Sequence, residues 1–384
     1  MMEELTSWYS TIYWIDYILF FLLTIPVAYL TLFALASLKK SRIKYPQAKK
    51  KYRYAIFIPA KLSDDEVILD SVSSFTKQTY PRENFDIIVI TNDLKEATIQ
   101  GLKDLGVIVL ERPQGKKDRK GALEFALSNL DSNAFDAAII VKPNDSVDPD
   151  YLEEINKAFY SGGMVIQTHR RTKKIKSNIS ILSAISEEIN NSIFRRGHVN
   201  LGFSSALIGS GMVFNYEWLR QNITKVKGPG LTKQLESLLL RQGIFIEYIE
   251  TVYTYDNEKK KVSTYNKQKR DWYKSQRYTL KRALSDFPKA LFSGNFDFCD
   301  KIFQWMIPSK IMLPVYIILF ALLLPFVDWT LSIKWWILFG ILILSYSLSI
   351  PEKYISLRSF WALLMLPFIL IFTIFNKIYS RFFK

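Results

Sequence analysis

Long uncharged apolar runs stand at both ends of the chain, and a charged, periodic pattern fills the middle. The first run, Tyr17 to Leu38, is about 22 residues, enough at about 1.5 Å per residue for a helix to cross about 30 Å of hydrocarbon. Three more, Ile311 to Val327, Trp335 to Ile350 and Phe360 to Phe375, are separated by short polar loops, and each is near the lower length limit for a span. From Tyr52 to about Glu250, short β-rich runs alternate with amphipathic helical stretches. That alternation predicts an α/β domain, a mostly parallel, Rossmann-like sheet covered by helices. The predicted strands are Ala55 to Pro59, Asp86 to Ile90, Val107 to Leu110, Ala137 to Val141 and Met164 to Thr168. Ahead of the C-terminal runs, Phe296 to Ile307 mixes Phe303, Trp305 and Met306 with Asp300 and Lys301. This predicts a helix lying in the membrane interface, although a buried amphipathic core helix has the same pattern.

Charge orients this layout. Apolar residues make up 49% of the chain, yet the formal net charge is +15. Much of that charge follows the first run, in Lys39, Lys40, Arg42, Lys44, Lys49, Lys50, Lys51 and Arg53, which the positive-inside rule holds in the cytoplasm. The reading is a multi-pass protein of the cell (inner) membrane with its main domain cytoplasmic and its N-terminus outside. Glu3 and Glu4 in the leader argue against a cleavable signal peptide. The partner such a basic run fits is the anionic inner leaflet, at about 1 kcal/mol per Lys or Arg near the surface. Nucleic acid is not expected, because no recognised binding motif accompanies the basic run. Four spans would put the C-terminus outside, against the basic Lys377, Arg381 and Lys384, so the topology of the last hairpin stays open. The division expected is 1–16 outside, 17–38 a transmembrane helix, 39–53 a basic linker, 54–290 the cytoplasmic domain, 291–310 the interfacial helix, 311–376 about three transmembrane helices and 377–384 a basic tail. The single cysteine, Cys299, has no partner for an internal disulfide, and with only His169 and His198 a Cys/His zinc site is excluded. Any metal would be a hard cation on carboxylates.

In open α/β sheets ligands bind beyond the carboxyl ends of the strands. Here those ends carry Pro59-Ala60, Thr91-Asn92-Asp93, Arg112-Pro113 and Lys142-Pro143-Asn144-Asp145. Ile58-Pro59-Ala60, Ser74-Phe75, Gln78-Thr79-Tyr80-Pro81 and Asp86 to Ile90 together resemble the opening of membrane-bound family 2 glycosyltransferases, of the inverting, cellulose- and hyaluronan-synthase-like superfamily. Further matches in order are the Lys120 to Leu127 helix, Glu187 to His198, Gly209-Ser210-Gly211-Met212, Leu235 to Gly243, and Gln268 to Trp272 before the C-terminal spans. The resemblance covers nearly the whole chain and implies a glycosyltransferase A-type domain that moves a sugar from a nucleotide-sugar donor to an acceptor with inversion.

That reaction requires a D-x-D pair holding a divalent cation against the diphosphate, a carboxylate that takes the acceptor proton, and a Q-x-x-R-W motif closing over the site. This chain departs at each. The D-x-D position reads Pro143-Asn144-Asp145, leaving Asp145 as the one expected metal ligand for a weakly held Mg or Mn. A plain turn is the alternative there. No acidic pair opens the helix at Leu231-Thr232-Lys233-Gln234, where Thr232 reads as an N-cap and Glu236, one turn on, is the candidate displaced base. The closing motif reads Gln268-Lys269-Arg270-Asp271-Trp272, with Asp271 where an arginine belongs. The resemblance assigns nucleotide contacts to Pro59, Ala60, Asn92, Asp93, Lys120, Asn144 and Asp145, and acceptor or closing roles to Gly209, Ser210, Gly211, Gln268, Arg270, Asp271 and Trp272.

Losses at sites with separate jobs favour a catalytically impaired or inactive homologue. It would work in polysaccharide or glycolipid assembly by binding, or as the partner of an active synthase, and would require no cofactor. The alternative is an active inverting transferase with an atypical, metal-independent site. A transporter or channel is weakened because the spans carry few ionisable residues.

Overall fold

The computed structural model describes residues 2–39, 45–113, 118–173, 175, 177–257, 262–357 and 361. Eight strands form one sheet: β1 Tyr54–Pro59, β2 Phe85–Thr91, β3 Ile108–Glu111, β4 Ala137–Ile140, β5 Asp145–Val147, β6 Val165–Thr172, β7 Met212–Asn215 and β8 Glu247–Asp256, in the order β3-β2-β1-β4-β7-β6-β8-β5. The pairs β1·β2, β1·β4, β2·β3 and β6·β8 are parallel, and only β5 and β7 run against the rest. The fold is therefore the expected α/β class with a mostly parallel sheet.

Its inner strands are apolar without alternation because both faces are covered. Ala55 and Phe57 of β1, Ile88 and Ile90 of β2 and Ala138 and Ile140 of β4 enter one core. Their neighbours Tyr54, Ile56, Ile58, Ile87, Val89, Ala137 and Ile139 enter the core on the other face. The predicted strand at Met164 to Thr168 runs on to Thr172, and the one at Val107 begins at Ile108. Three strands were not expected. The three residues of β5 are too few to show a period, and β7 follows directly on a glycine turn. β8 reads Glu-Tyr-Ile-Glu-Thr-Val-Tyr-Thr-Tyr-Asp, polar enough to pass for loop.

The first helix runs from Met2 to Leu38, so the residues expected to lie apart outside the membrane are continuous with the span. Among the described residues two stretches are long and apolar enough to cross a membrane, Ser10–Leu38 and Trp329–Leu348. Met312–Leu323 is shorter, because a 3-10 turn at Leu324–Phe326 with Pro325 ends it and Asp328 caps the next helix at Thr330 N, 2.9 Å away. The expected span at Phe360 to Phe375, the tail with Lys377, Arg381 and Lys384, and Lys40, Arg42 and Lys44 fall outside the described residues, Trp361 excepted.

A third core joins the apolar helices to the sheet domain. Val27, Leu30, Phe33 and Ala34 of the first helix pack with Ile185, Ile189 and Ile193, and with Leu313, Ile317 and Trp335. Gly197 lets this contact close, since a Cβ there would lie 2.3 Å from Phe33 O. Helix Phe296–Met306 sits at the junction: Phe298, Ile302 and Trp305 enter a sheet-domain core, Phe303 packs on the third core, and Phe296 stays 61% exposed. Its apolar face is shared between the two cores.

Two buried ion clusters pin the layers. Tyr29 Oη donates to Asp300 Oδ1 at 2.8 Å, while His198 Nε2 is 3.3 Å from Asp300 Oδ2 and its ring stacks on Phe33. Glu188, on helix Asn178–Asn191, meets His169 Nε2 at 3.2 Å, Arg171 at 3.8 Å and Lys353 at 3.5 Å. Burial works to raise the Glu188 carboxyl, but its hydrogen bond to His169 and the charges of His169, Lys353 and Arg171 prevail and hold it down at about 2. A depressed carboxyl stabilises the fold fully above its unfolded value near 4.5 and loses that contribution as pH falls toward 2. Glu188→Gln should therefore cost about 2–3 kcal/mol at pH 7 and much less near pH 3, read as melting temperatures of the detergent-solubilised protein at the two pH values.

Candidate functional site

The carboxyl ends of β1, β2 and β4 bring together three of the segments singled out in the sequence. Ala60 N donates to Ile90 O at 2.8 Å, which keeps Pro59-Ala60 on the sheet's line. Asp93 Oδ1 accepts the Leu62 N–H at 2.9 Å, holding the turn after β1, and half-buried Asn92 lies toward the carbonyls of Arg112 and Pro113. Strand-type bonding of β4 persists through Val141, whose N–H donates to Phe57 O at 3.0 Å. Lys142 is the first residue beyond it.

The turn Gly209-Ser210-Gly211 closes over this end from β7. Gly209 and Gly211 have φ of +83° and +62°, and a Cβ on Gly211 would lie 2.1 Å from Thr168 Oγ1 and 2.4 Å from Thr254 Oγ1. Only glycine fits. Ser210 Oγ donates to Asp145 Oδ2 and accepts the Lys142 N–H at 3.1 Å, and Gln167 Nε2 donates to Ser210 O at 3.0 Å.

Asp145 is fully buried. Its Oδ2 also lies 3.9 Å from Arg170 Nε, and its Oδ1 has no hydrogen-bond partner among the described residues. Arg170 Nη2 is 2.8 Å from Asp256 Oδ2, and Asn144 Nδ2 donates to Asp256 Oδ1 at 3.1 Å, so Asn144 faces Asp256 rather than solvent. Burial raises the Asp145 carboxyl against the pull of Arg170 and Lys142. It also pushes Lys142 down to about 8 and Arg119 down to about 10.

Arg119, the first residue of helix Arg119–Asn129, donates to Gly209 O and, at 3.4 Å, to Val141 O. Lys120, the lysine singled out in the sequence, instead pairs with Glu124 at 2.9 Å, about 100° further round the helix. Arg119 and Arg170 were not singled out in the sequence, and Lys142 was named only as the start of the segment after β4. A divalent cation does not fit what is present. Asp145 is one buried carboxylate with an oxygen already bonded to Ser210, and the described residues hold no group of three His, Cys, Asp or Glu able to share a metal.

Helix Leu231–Arg241 abuts the glycine turn, with Thr232 Oγ1 close over Gly209. Gly230, at φ +85°, is its N-cap, so Thr232 is the second helical residue and not the cap read from the sequence. Leu231 packs on the core, Gln234 Nε2 donates to Thr279 Oγ1 at 2.9 Å, and Lys233 Nζ binds Glu236 Oε2 at 2.7 Å. Glu236 is fully buried, accepts the Leu207 N–H at 3.1 Å and lies 3.9 Å from Lys301 Nζ.

Arg270, Asp271 and Trp272 lie on helix Val262–Leu284, where Arg270 and Asp271 are exposed and Trp272 is 46% exposed. The side chain of Gln268 lies outside the described residues. This helix is anchored further on, by Ser275 against Gly230 and by Gln276 Nε2 donating to Trp305 O at 2.7 Å. At the opposite, amino end of the strands a cleft of about 540 Å³ is lined by Asp136, Asn215 and Glu217 among others, with no basic residue, so it is unsuited to phosphate.

No protein-family model matches the sequence, and no curated protein matches it. Among solved structures, a mannosyltransferase from Pyrobaculum calidifontis in complex with GDP-Man and Mn²⁺ is similar at 13% identity and TM-score 0.47, covering 83% of this chain and 98% of that one. S. aureus TarS 1-349 is similar at 12% identity and TM-score 0.45, covering 79% and 82%, and its complex with UDP-GlcNAc at 14% and 0.42.

The glycine turn supplies its own test. Gly211→Ala combines left-handed backbone with overpacking and should cost about 2–5 kcal/mol. Gly243→Ala has a similar φ of +67° but nothing within 4 Å, and should cost only about 1–2 kcal/mol. Thermal unfolding of the two variants side by side checks the difference.

Proposed function

We propose that this chain is a membrane-seated, family 2 glycosyltransferase-like protein that holds a ligand at the carboxyl end of its sheet without transferring a sugar. It would act in polysaccharide or glycolipid assembly by binding, or as partner of an active synthase. The observation that carries this reading is the fate of the carboxylates. Glu236, the one acid near the start of helix Leu231–Arg241, is sealed between Lys233, Lys301 and the Leu207 N–H, out of reach of an acceptor hydroxyl. Asp145 and Asp256 are engaged with Ser210, Arg170 and Asn144. A general base must lie within hydrogen-bond reach of the proton it removes. Membership of family 2 rests on the order and spacing of the sequence motifs, and the orientation rests on the basic residues after the first apolar helix.

Purified protein in nanodiscs, given UDP- and GDP-sugars with acceptor oligosaccharides and either Mg²⁺, Mn²⁺ or EDTA, should show transfer slower than about 10⁻² s⁻¹, since loss of a base alone removes about 10²–10⁴ from an ordinary rate of about 1 s⁻¹. Transfer at about 1 s⁻¹ or faster would refute the reading. For the orientation, a cysteine introduced at exposed Lys50 should resist an impermeant thiol reagent in intact cells and react after permeabilisation. Labelling in intact cells would reverse the assigned topology.

A further inference from the structure

We propose that the cleft at the amino end of the strands is a binding site for a neutral, hydroxyl-rich ligand, a sugar unit of an uncharged glycan. The site goes beyond the function proposed above, because it lies at the opposite end of the sheet from the glycine turn and Asp145. Four neighbouring strands, β1, β4, β7 and β6, meet here. Tyr52 stands two residues before β1, Phe135 and Asp136 directly before β4 and Met164 directly before β6, while Asn215 is the last residue of β7. Phe159, from the last turn of helix Tyr151–Tyr160, completes the aromatic lining. The volume, about 540 Å³, is within the range of small-molecule sites.

The rings of Tyr52, Phe135 and Phe159 offer apolar faces, with Tyr52 and Phe159 edge to face at 4.9 Å. The polar groups among them are largely uncommitted. Ser132 Oγ, the Asn133 amide and Tyr52 Oη make no hydrogen bond with any described residue. Asn215 Oδ1 caps helix Tyr216–Asn222 by accepting the Trp218 N–H at 2.9 Å, which leaves its Nδ2 as a spare donor. Glu217 Oε1 takes Gln221 Nε2 at 2.7 Å and leaves Oε2 as a spare acceptor. Other ligand classes match this lining less well. No basic residue lines the cleft, so a phosphate finds no counter-charge. The groups that would draw a cation are already served by the chain itself. Asp136 holds Lys50 Nζ at 3.3 Å and the Arg53 N–H at 2.8 Å, Lys50 Nζ lies 4.3 Å from the centre of the Tyr52 ring, and Arg53 Cζ lies 5.5 Å from that of Phe135. A wholly apolar ligand would strand the amides and hydroxyls without water. What remains is an uncharged ligand with both hydroxyls and apolar C–H faces. A pyranose has that pattern, presenting hydroxyls to the amides and Glu217 and C–H faces to the rings.

Saturation-transfer NMR and isothermal titration of the full chain in nanodiscs, with maltotetraose, cellotetraose and mannotriose as probes, test this. At least one should bind in EDTA, and excess UDP should not displace it. Met164→Trp, at a side chain that is 45% exposed, fills the cleft from its rim and should abolish binding with an unchanged melting temperature. Asn133→Ala and Asn215→Asp, the latter keeping the helix cap while removing the amide donor, should each weaken binding by about threefold to tenfold, the loss of one hydrogen bond. Lys103→Ala, on an exposed helix face outside the cleft, should change nothing. Should Asn215→Asp fail to fold, Met164→Trp and Asn133→Ala decide, since both replace exposed side chains. No binding of any of the three probes, displacement by UDP, unchanged affinity in Met164→Trp, or tighter binding of spermidine than of every glycan would overturn the proposal. Each of these outcomes leaves the non-transferring reading standing, and sugar transfer would sink that reading without touching the cleft.

Discussion

One hydroxyl sets the geometry from which the rest of the site follows. Ser210 Oγ donates to the Asp145 carboxylate and accepts the Lys142 N–H, so it joins the end of β4 to the start of β5 from a turn that belongs to neither. Two left-handed glycines place it there, and Thr168 and Thr254 leave no room for any other residue at Gly211. The consequence is chemical. Asp145 is the last acid in the region where the sequence would look for a cation ligand, and the same bond that orders the turn takes one of its oxygens and holds it below the surface.

Around the buried carboxylate, half-buried Lys142 and Arg119 and buried Arg170 supply the basic charge at the strand ends. Lys142 continues the line of β4, Arg119 fills the gap between Val141 and Gly209, and Arg170 bridges toward Asp256. Buried ions of this sort stabilise a fold little and are strongly destabilising when one partner is lost, so their presence is better understood as shaping a field than as holding the sheet together. The holding is done elsewhere, by two cores that share alternate residues of the same strands.

Legibility in the sequence followed the physics of each element. β1, β2 and β4 could be read because both of their faces are buried and their runs are apolar throughout, whereas β8 follows no such rule and β5 is too short to show one. Gly209-Ser210-Gly211 and Asp145 were each singled out in the sequence for separate roles, and the structure brings them together. The basic residues were not, because the search was for acids. Lys142 was nonetheless marked by its place at the end of Ala-Ala-Ile-Ile-Val. The sequence pointed to Lys120, whereas Arg119, one residue earlier, is the one that reaches Gly209 O and Val141 O. Asp118, whose side chain accepts the Gly121 N–H at 2.8 Å, fixes the first turn and could have set the helical phase. Thr232 was assigned the cap by residue type, but Gly230 in left-handed conformation takes that position.

The distribution of buried charge bears on what the chain can do. At the junctions between layers, Glu188 with His169 and Lys353, Asp300 with His198 and Tyr29, and Asp16 with Lys334 and Trp335 each connect segments far apart in sequence. Glu236 belongs to the same class, since it ties helix Leu231–Arg241 to Leu207 and to Lys301 of the helix at the junction. Both of its oxygens are taken up in that junction, one by Lys233 and the other by the Leu207 N–H beside Lys301. Its replacement by a free base would require the junction helix to be repacked. The shape of the domain and its contact with the junction helix therefore depend on Glu236 as a structural ion.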